Sequence, residues 1–147
     1  MVSQSRRWFV PTMAAVVLVS TACGGGGGGT VDVTLQEFAV GTSESSVESG
    51  EVTFNAPNKG PDDVHEFVVF KTDLSPVALP TNPDGSVNEE GEGLELIDEI
   101  EDIPVGETQS ITVDLESGSY VLICNIYDEA EKESHYQEGM RTAFTVE

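Results

Sequence analysis

Apolar and polar residues alternate in several short segments between residue 31 and the C-terminus. A period of two is typical of β-strands that bury one face. Residues 31–35, 52–56, 108–115 and 142–146 follow this alternation. Two further segments, residues 65–70 and 120–124, are mostly apolar, as expected for interior strands. The pattern therefore predicts strands along most of the chain.

Turns that contain glycine separate these segments, and no stretch has the periodicity of a long amphipathic helix. The turns lie at residues 47–50, 58–61, 104–106 and 116–119. About seven or eight short strands with such turns are typical of a Greek-key β-sandwich. We therefore predict an all-β fold for one domain spanning residues 31–147.

One stretch, residues 71–102, departs from the regular pattern. It opens on a possible helical turn at 73–76, and residues 89–102 contain eight acidic residues and no basic one. Leu94, Leu96 and Ile97 then provide apolar positions for a return to the sheet. We predict an external acidic insertion between strands, with a mobile tip.

The N-terminus has the features of an export signal. Residues 5–10 contain a twin-arginine pair, an apolar run covers 13–19, and small residues precede Cys23. The apolar run is too short to span a bilayer. We predict a signal peptide over residues 1–22, lipidation of Cys23 and a glycine-rich tether over 23–30. The alternative for Cys23 is a disulfide with Cys124, which a flexible glycine run disfavours.

The chain is strongly acidic, with 27 acids against 6 bases and a formal charge of −21. Loss of Arg6 and Arg7 with the signal peptide would make it −23. This charge excludes binding to nucleic acid or to anionic lipid through basic residues. Adaptation to a salty habitat and docking to a cationic partner are both compatible with it.

Four side chains form a candidate metal-ligand set: His65, Cys124, His135 and Met140. His65 opens one apolar segment, and Cys124 closes another. His135 and Met140 lie on the connection to the last strand, so a loop at one end of a sandwich could bring the ligands together. Each residue alone has an ordinary explanation in packing or exposure, but a joint site accounts for all four. Two imidazoles, a thiolate and a long axial thioether are the ligands of a mononuclear electron-transfer copper. Zinc has no use for the thioether.

These residues resemble a known family. The chain reads His-Glu-Phe-Val-Val-Phe from residue 65, Tyr-Val-Leu-Ile-Cys-Asn-Ile from 120 and His-Tyr-Gln-Glu-Gly-Met from 135. These motifs are similar to those of the blue copper proteins of the plastocyanin, pseudoazurin and sulfocyanin group. The resemblance covers residues 31–147 and implies a cupredoxin fold with one type 1 copper on His65, Cys124, His135 and Met140.

Two features depart from that family. Glu66 stands where many members have an asparagine that ties the ligand loops together, and the loop from Cys124 to His135 is longer than usual. The second departure could loosen the site or cover its edge. We also expect acids of this loop to surround the copper end, either as a docking surface or as a continuation of the acidic surface: Asp128, Glu129, Glu131, Glu133 and Glu138.

Three functions fit the sequence to different degrees. The first is an exported, lipid-anchored monomer that carries one electron to or from a redox protein such as a cytochrome or an oxidase. It would act at the outer face of the cytoplasmic membrane or in the periplasm. The second is a copper-delivery module without redox turnover, and the third is a metal-free adhesion or assembly domain. We predict no enzyme activity, because a saturated copper leaves no open position for a substrate.

Overall fold

The computed structural model describes residues 27–147 as a β-sandwich. The predicted signal peptide and the predicted lipidation site Cys23 lie outside these residues. Within them, no helix is long and apolar enough to cross a bilayer. The strands are β1 (Gly28–Gln36), β2 (Ala39–Thr42), β3 (Ser46–Val47), β4 (Gly50–Pro57), β5 (His65–Lys71), β6 (Glu95–Ile103), β7 (Thr108–Leu115), β8 (Gly118–Ile123), β9 (Tyr127–Asp128), β10 (Glu133–Ser134) and β11 (Arg141–Val146), and the helix α1 covers His135–Glu138.

Two sheets face each other across one main core. The four-stranded sheet has the order β2-β1-β4-β7, and the five-stranded sheet has the order β3-β11-β8-β5-β6. Alternate residues of β1 and β4 point inward and are fully buried against β5, β8 and β11, because successive side chains of a strand face opposite sides. Phe54 packs against Phe67 and Phe144 with ring centroids 5.4 and 5.6 Å apart. The predicted all-β sandwich is confirmed.

Eight of the strands have four or more residues, in agreement with the seven or eight predicted, and the other three have only two. All six segments that the pattern identified coincide with strands. The first strand begins earlier than predicted, because Gly28 and Gly29 of the glycine run already pair with β4. Gly28 has φ 94°, and a Cβ there would lie 2.0 Å from the carbonyl oxygen of Glu51. Only glycine permits so close an approach of the two strands.

The predicted insertion differs from what the structure shows. Its last part is β6, a nine-residue strand at the edge of the five-stranded sheet. The irregular part, residues 72–94, covers the outer face of this sheet and buries Leu79 and Val87. These two residues form a second apolar cluster with Val68, Phe70, Val121, Ile123 and Tyr136. The sequence pattern missed this cluster because β5 and β8 are apolar on both faces, so the second face needed a cover.

Candidate metal centre

The structure brings His65, Cys124 and His135 together at one end of the sandwich. The Nδ1 atoms of the two histidines are 3.3 Å apart, and Cys124 Sγ lies 3.9 Å from His65 Nδ1 and 3.4 Å from His135 Nδ1. The exposed fraction is 0% for His65 and Cys124 and 2% for His135. Three donor atoms therefore converge on one buried point, although their residues are up to 70 positions apart in sequence.

The two central strands of the five-stranded sheet position His65 and Cys124. Cys124 directly follows β8, and His65 is the first residue of β5, which pairs with β8 in antiparallel register. The backbone N–H of Glu66 donates to Cys124 Sγ at 3.3 Å. This bond stabilises a thiolate, and it depends on the backbone rather than on the side chain at position 66.

The long connection from Cys124 to His135 is an ordered hairpin. Strands β9 and β10 pair through Tyr127 with Ser134 and Asp128 with Glu133. The N–H of His135 donates to the carbonyl of Ile126 at 2.9 Å, which closes the base of the hairpin. The extra residues therefore project from the ligand loop without separating its two ends. His135 then starts α1, whose N-cap is Ser134.

Met140 is fully buried and belongs to the same apolar cluster as Cys124. Its carbonyl accepts from the N–H of Cys124 at 3.0 Å, and its own N–H donates to the carbonyl of His135 at 2.9 Å. Gly139 before it has φ 134°, and a Cβ there would lie 2.9 Å from the carbonyl oxygen of Phe38. Glycine at position 139 therefore permits both this backbone conformation and the close approach to the Phe38 carbonyl.

Protonation states at the site suit a metal that displaces one proton. Burial lowers the pKa of both histidines, so their rings are neutral at pH 7 and can donate a lone pair. Burial raises the pKa of the Cys124 thiol to about 12. A metal must therefore compete with the thiol proton, and its binding releases this proton to solvent.

The donor chemistry fits one type 1 copper. Two neutral imidazoles and one buried cysteine provide the trigonal ligands of such a site, with the thioether of Met140 nearby in sequence and in the core. The surroundings are apolar, because Phe67, Val69, Leu122 and Phe144 are buried in the same cluster as Cys124. A dry site of this kind limits access of water and influences the reduction potential.

Glu66, next to His65 in sequence, belongs to a group of three carboxylates. The carboxylate oxygens of Glu66, Glu89 and Glu99 lie within 4.8 Å of one another. Burial and then repulsion from Glu99 and Glu89 raise the pKa of Glu66 to about 7, although the backbone N–H of Asn125 acts in the opposite direction. The residue that replaces the usual asparagine is therefore partly protonated near neutral pH.

Replacement of Glu66 by glutamine is expected to stabilise the metal-free protein at pH 8 but not at pH 4.5. The folded-state pKa lies above the unfolded value, so the wild type loses stability as pH rises from about 4.5 to about 7. One pKa unit corresponds to about 1.4 kcal/mol, and the partial exposure of Glu66 leaves an expected gain of about 1 kcal/mol. Urea unfolding at the two pH values measures the difference. Glu51→Gln, on the other sheet, is the control, and an equal gain at both pH values would contradict the prediction.

The covering segment, residues 72–94, contacts both ends of the ligand loop. Asn125, next to Cys124, accepts from the N–H of Val87 at 2.6 Å and donates to its carbonyl at 3.1 Å. Ser134, next to His135, donates to the carbonyl of Gly85 at 2.9 Å. The hydroxyl of Tyr136 donates to the carbonyl of Pro76 at 2.7 Å. The covering segment therefore restrains the positions of Cys124 and His135.

Sequence reasoning missed three residues that support the histidines. Asn58 is fully buried and donates to the carbonyls of Asp63 and Ile103, both at 2.8 Å, so it fixes the loop before His65. Phe38 packs edge-on against the ring of His135 at 5.3 Å between centroids. Glu37 lies beside His65. No periodic signal identifies these residues, because each acts through a contact that is distant in sequence.

No family profile matches the chain, and no curated protein matches it. Several solved structures are similar in fold. Reduced auracyanin from Roseiflexus castenholzii is 20% identical, with a TM-score of 0.56 over 80% of this chain and 96% of that one. Auracyanin A, a blue copper protein from Chloroflexus aurantiacus, is 17% identical, with a TM-score of 0.54 over 82% and 100%. An azurin from Methylomonas sp. strain J is 20% identical, with a TM-score of 0.51 over 80% and 97%.

The fold and the donor atoms point in the same direction. The chain has the cupredoxin fold of the blue copper proteins, and its His65, Cys124 and His135 converge as the trigonal ligands of a type 1 copper do. The predicted resemblance is thereby confirmed for the fold, and three of the four predicted ligands lie together.

Proposed function

We propose that this protein is a one-electron carrier with a single type 1 copper held by His65, Cys124, His135 and Met140. The observation that supports it best is the convergence of three buried donors on one point. Copper would supply a one-electron couple, and a site held at the end of the five-stranded sheet keeps its geometry in both oxidation states. A copper held by all four side chains would have no open ligand position for a substrate, which favours a carrier over an enzyme.

The test begins with copper(II) added to the purified protein. An intense blue colour from thiolate-to-copper charge transfer is expected, with one copper per chain. Reversible voltammetry then separates an electron carrier from a delivery module. Bound copper that is not reduced reversibly, or that passes readily to a chelator, would favour delivery. A protein that binds no copper would refute both functions.

We further propose a basic redox partner that docks over His135. Asp62, Asp63, Asp102 and Asp128 line a pocket together with His135, and Glu131 and Glu133 line a second pocket that shares Asp62 and Asp63. Three of the five loop acids named from sequence therefore lie at the copper end. A negative surface at the point closest to the metal attracts a positive partner and raises its association rate.

Small redox complexes of opposite charge test the docking surface. The protein is expected to exchange electrons faster with a cationic than with an anionic complex of similar potential, and added salt should reduce the difference. Neutralising Asp62, Asp63 and Asp128 together should reduce the preference for the cation. Neutralising the same number of exposed acids on the four-stranded sheet, Asp32, Glu51 and Asp114, is the control. An equal effect of both triple variants would assign the preference to the overall charge.

The proposed location is the outer face of the cytoplasmic membrane or the periplasm, with a lipid on Cys23 and the protein acting as a monomer. The arrangement of basic, apolar and small residues before Cys23 supports it. Cys23→Ser is expected to move the protein from the membrane fraction to the soluble fraction of the cells that export it. Retention of this variant on the membrane would contradict lipidation.

A further inference from the structure

A carboxylate lies on the far side of the His65 ring from the other donors. His65 directs Nδ1 toward Cys124 and His135, so Nε2 points away from the site. Glu37 Oε1 is 3.4 Å from this Nε2. The exposed fraction of the side chain is 0% for His65 and 10% for Glu37. The contact is therefore almost completely shielded from water.

Glu37 is held in place by the loop that leads to His65. Its Oε1 accepts from the backbone N–H of Asp63 at 2.7 Å and of Asp62 at 3.3 Å. Its other oxygen, Oε2, is buried without a hydrogen-bond partner, and so is Nε2 of His65. A buried carboxylate with unused hydrogen-bonding capacity is costly, so its position beside the ring calls for an explanation.

We propose that Glu37 is a positioning residue for His65: it keeps the imidazole proton on Nε2 and strengthens Nδ1 as a donor to the copper. This inference rests on the proposed function. A neutral imidazole that binds a metal through Nδ1 carries its proton on Nε2. At 3.4 Å, an anionic oxygen attracts that N–H and makes the ring a stronger donor, as in carboxylate–histidine–metal arrangements. Its negative charge also favours the more positive oxidation state in a site of low dielectric constant.

Asp63 offers a matched comparison in the same molecule. Its Oδ2 lies 4.0 Å from Nε2 of the other histidine, His135, but its side chain is 39% exposed. Both carboxylates are close to an imidazole, and only that of Glu37 is shielded. Removal of the charge of Asp63 therefore measures the general electrostatic effect of one acid near the site, which water screens.

Three variants of the copper-loaded protein test the proposal: Glu37→Gln, Glu37→Met and Asp63→Asn. Glu37→Gln keeps an oxygen that accepts from the N–H of Asp63 and removes only the charge. We expect it to reduce the affinity for copper(II) relative to copper(I) roughly tenfold, as losses of such partners typically do. For one electron this change raises the potential by about 59 mV. Asp63→Asn is expected to cause less than half of that shift, measured by voltammetry in the same buffer.

The tautomer of His65 gives a second readout that does not need copper. In the metal-free protein at pH 7, nitrogen NMR is expected to show the proton on Nε2 in the wild type and a mixture of both tautomers in Glu37→Met. Thermal unfolding shows whether Glu37→Met is still folded. If it is not, the tautomer is measured in Glu37→Gln instead. The proposal is wrong if Glu37→Gln and Asp63→Asn shift the potential equally, or if folded Glu37→Met keeps the wild-type tautomer of His65. Glu37 would then only hold the loop before His65 in place. A wild type without blue colour would instead refute the copper function, and the tautomer would still report on Glu37.

Discussion

Cys124→Ser is expected to abolish the blue colour of the copper-loaded protein and to reduce its affinity for copper(II) by more than about 100-fold, the upper range for losses of outer partners of a metal site. The colour requires a thiolate bound to copper, and a serine hydroxyl is a harder and weaker donor at neutral pH. Serine fits the space of the buried cysteine, and its oxygen can still accept from the N–H of Glu66. The metal-free variant should therefore fold. Visible spectra during a copper titration, together with thermal unfolding, measure both effects.

The other cysteine of the chain provides the control. Cys23→Ser removes a thiol outside the described residues and is expected to leave the colour and the copper affinity unchanged. If Cys124→Ser stays blue, the thiolate of Cys124 is not the ligand. If Cys23→Ser also loses its colour, Cys124 alone does not account for it. A disulfide between the two cysteines would instead leave the wild type colourless and make Cys23→Ser blue, because the substitution frees the thiol of Cys124.

Most of the fold was predictable because strands leave a local signal. Alternation in β1, β4 and β7 reflects one buried face per strand, so a period of two in the sequence identified them. The apolar runs of β5 and β8 identified central strands. Strand β6 was not predicted as a full strand, since its acidic residues at the exposed edge hide the alternation. Only Ile100 and Ile103 of β6 are buried.

The candidate site was predictable for a different reason. Cys124, His135 and Met140 lie within 17 residues of one another, and their side-chain chemistry is unusual enough to be noticed together. His65 could be added because the described domain has only two histidines. The sequence does not contain the distances between these residues. Their residue types alone identified them as one ligand set.

What supports the ligands could not be predicted in this way. Glu37 and Asn58 are ordinary residues in the sequence of a strongly acidic chain, and only their contacts with His65 and with the loop before it give them a role. Tyr136 directly follows His135 in the sequence, but its hydrogen bond to Pro76 depends on how residues 72–94 fold over the sheet. A long-range contact of a single polar side chain produces no periodic pattern and no characteristic spacing in the sequence.

Replacement of Met140 is expected to shift the reduction potential in opposite directions for two substitutions of similar size. Met140→Leu removes the axial donor and keeps the apolar volume, so copper(II) loses more stabilisation than copper(I) and the potential rises. Met140→Gln substitutes a harder oxygen donor, which favours copper(II), and the potential falls. A tenfold change in relative affinity corresponds to about 59 mV for one electron, and we expect a shift of at least that size in each direction.

Voltammetry of the wild type and the two variants distinguishes ligation by Met140 from packing. Met140 is buried in the same cluster as Leu122, so Leu122→Met is the control for a change of core packing without a change of donor at position 140. Its potential should stay near the wild-type value. If the two variants instead shift the potential in the same direction, each in proportion to its loss of thermal stability, the thioether of Met140 only fills the core. Opposite shifts would require that the donor atom of the side chain at position 140 reaches the copper.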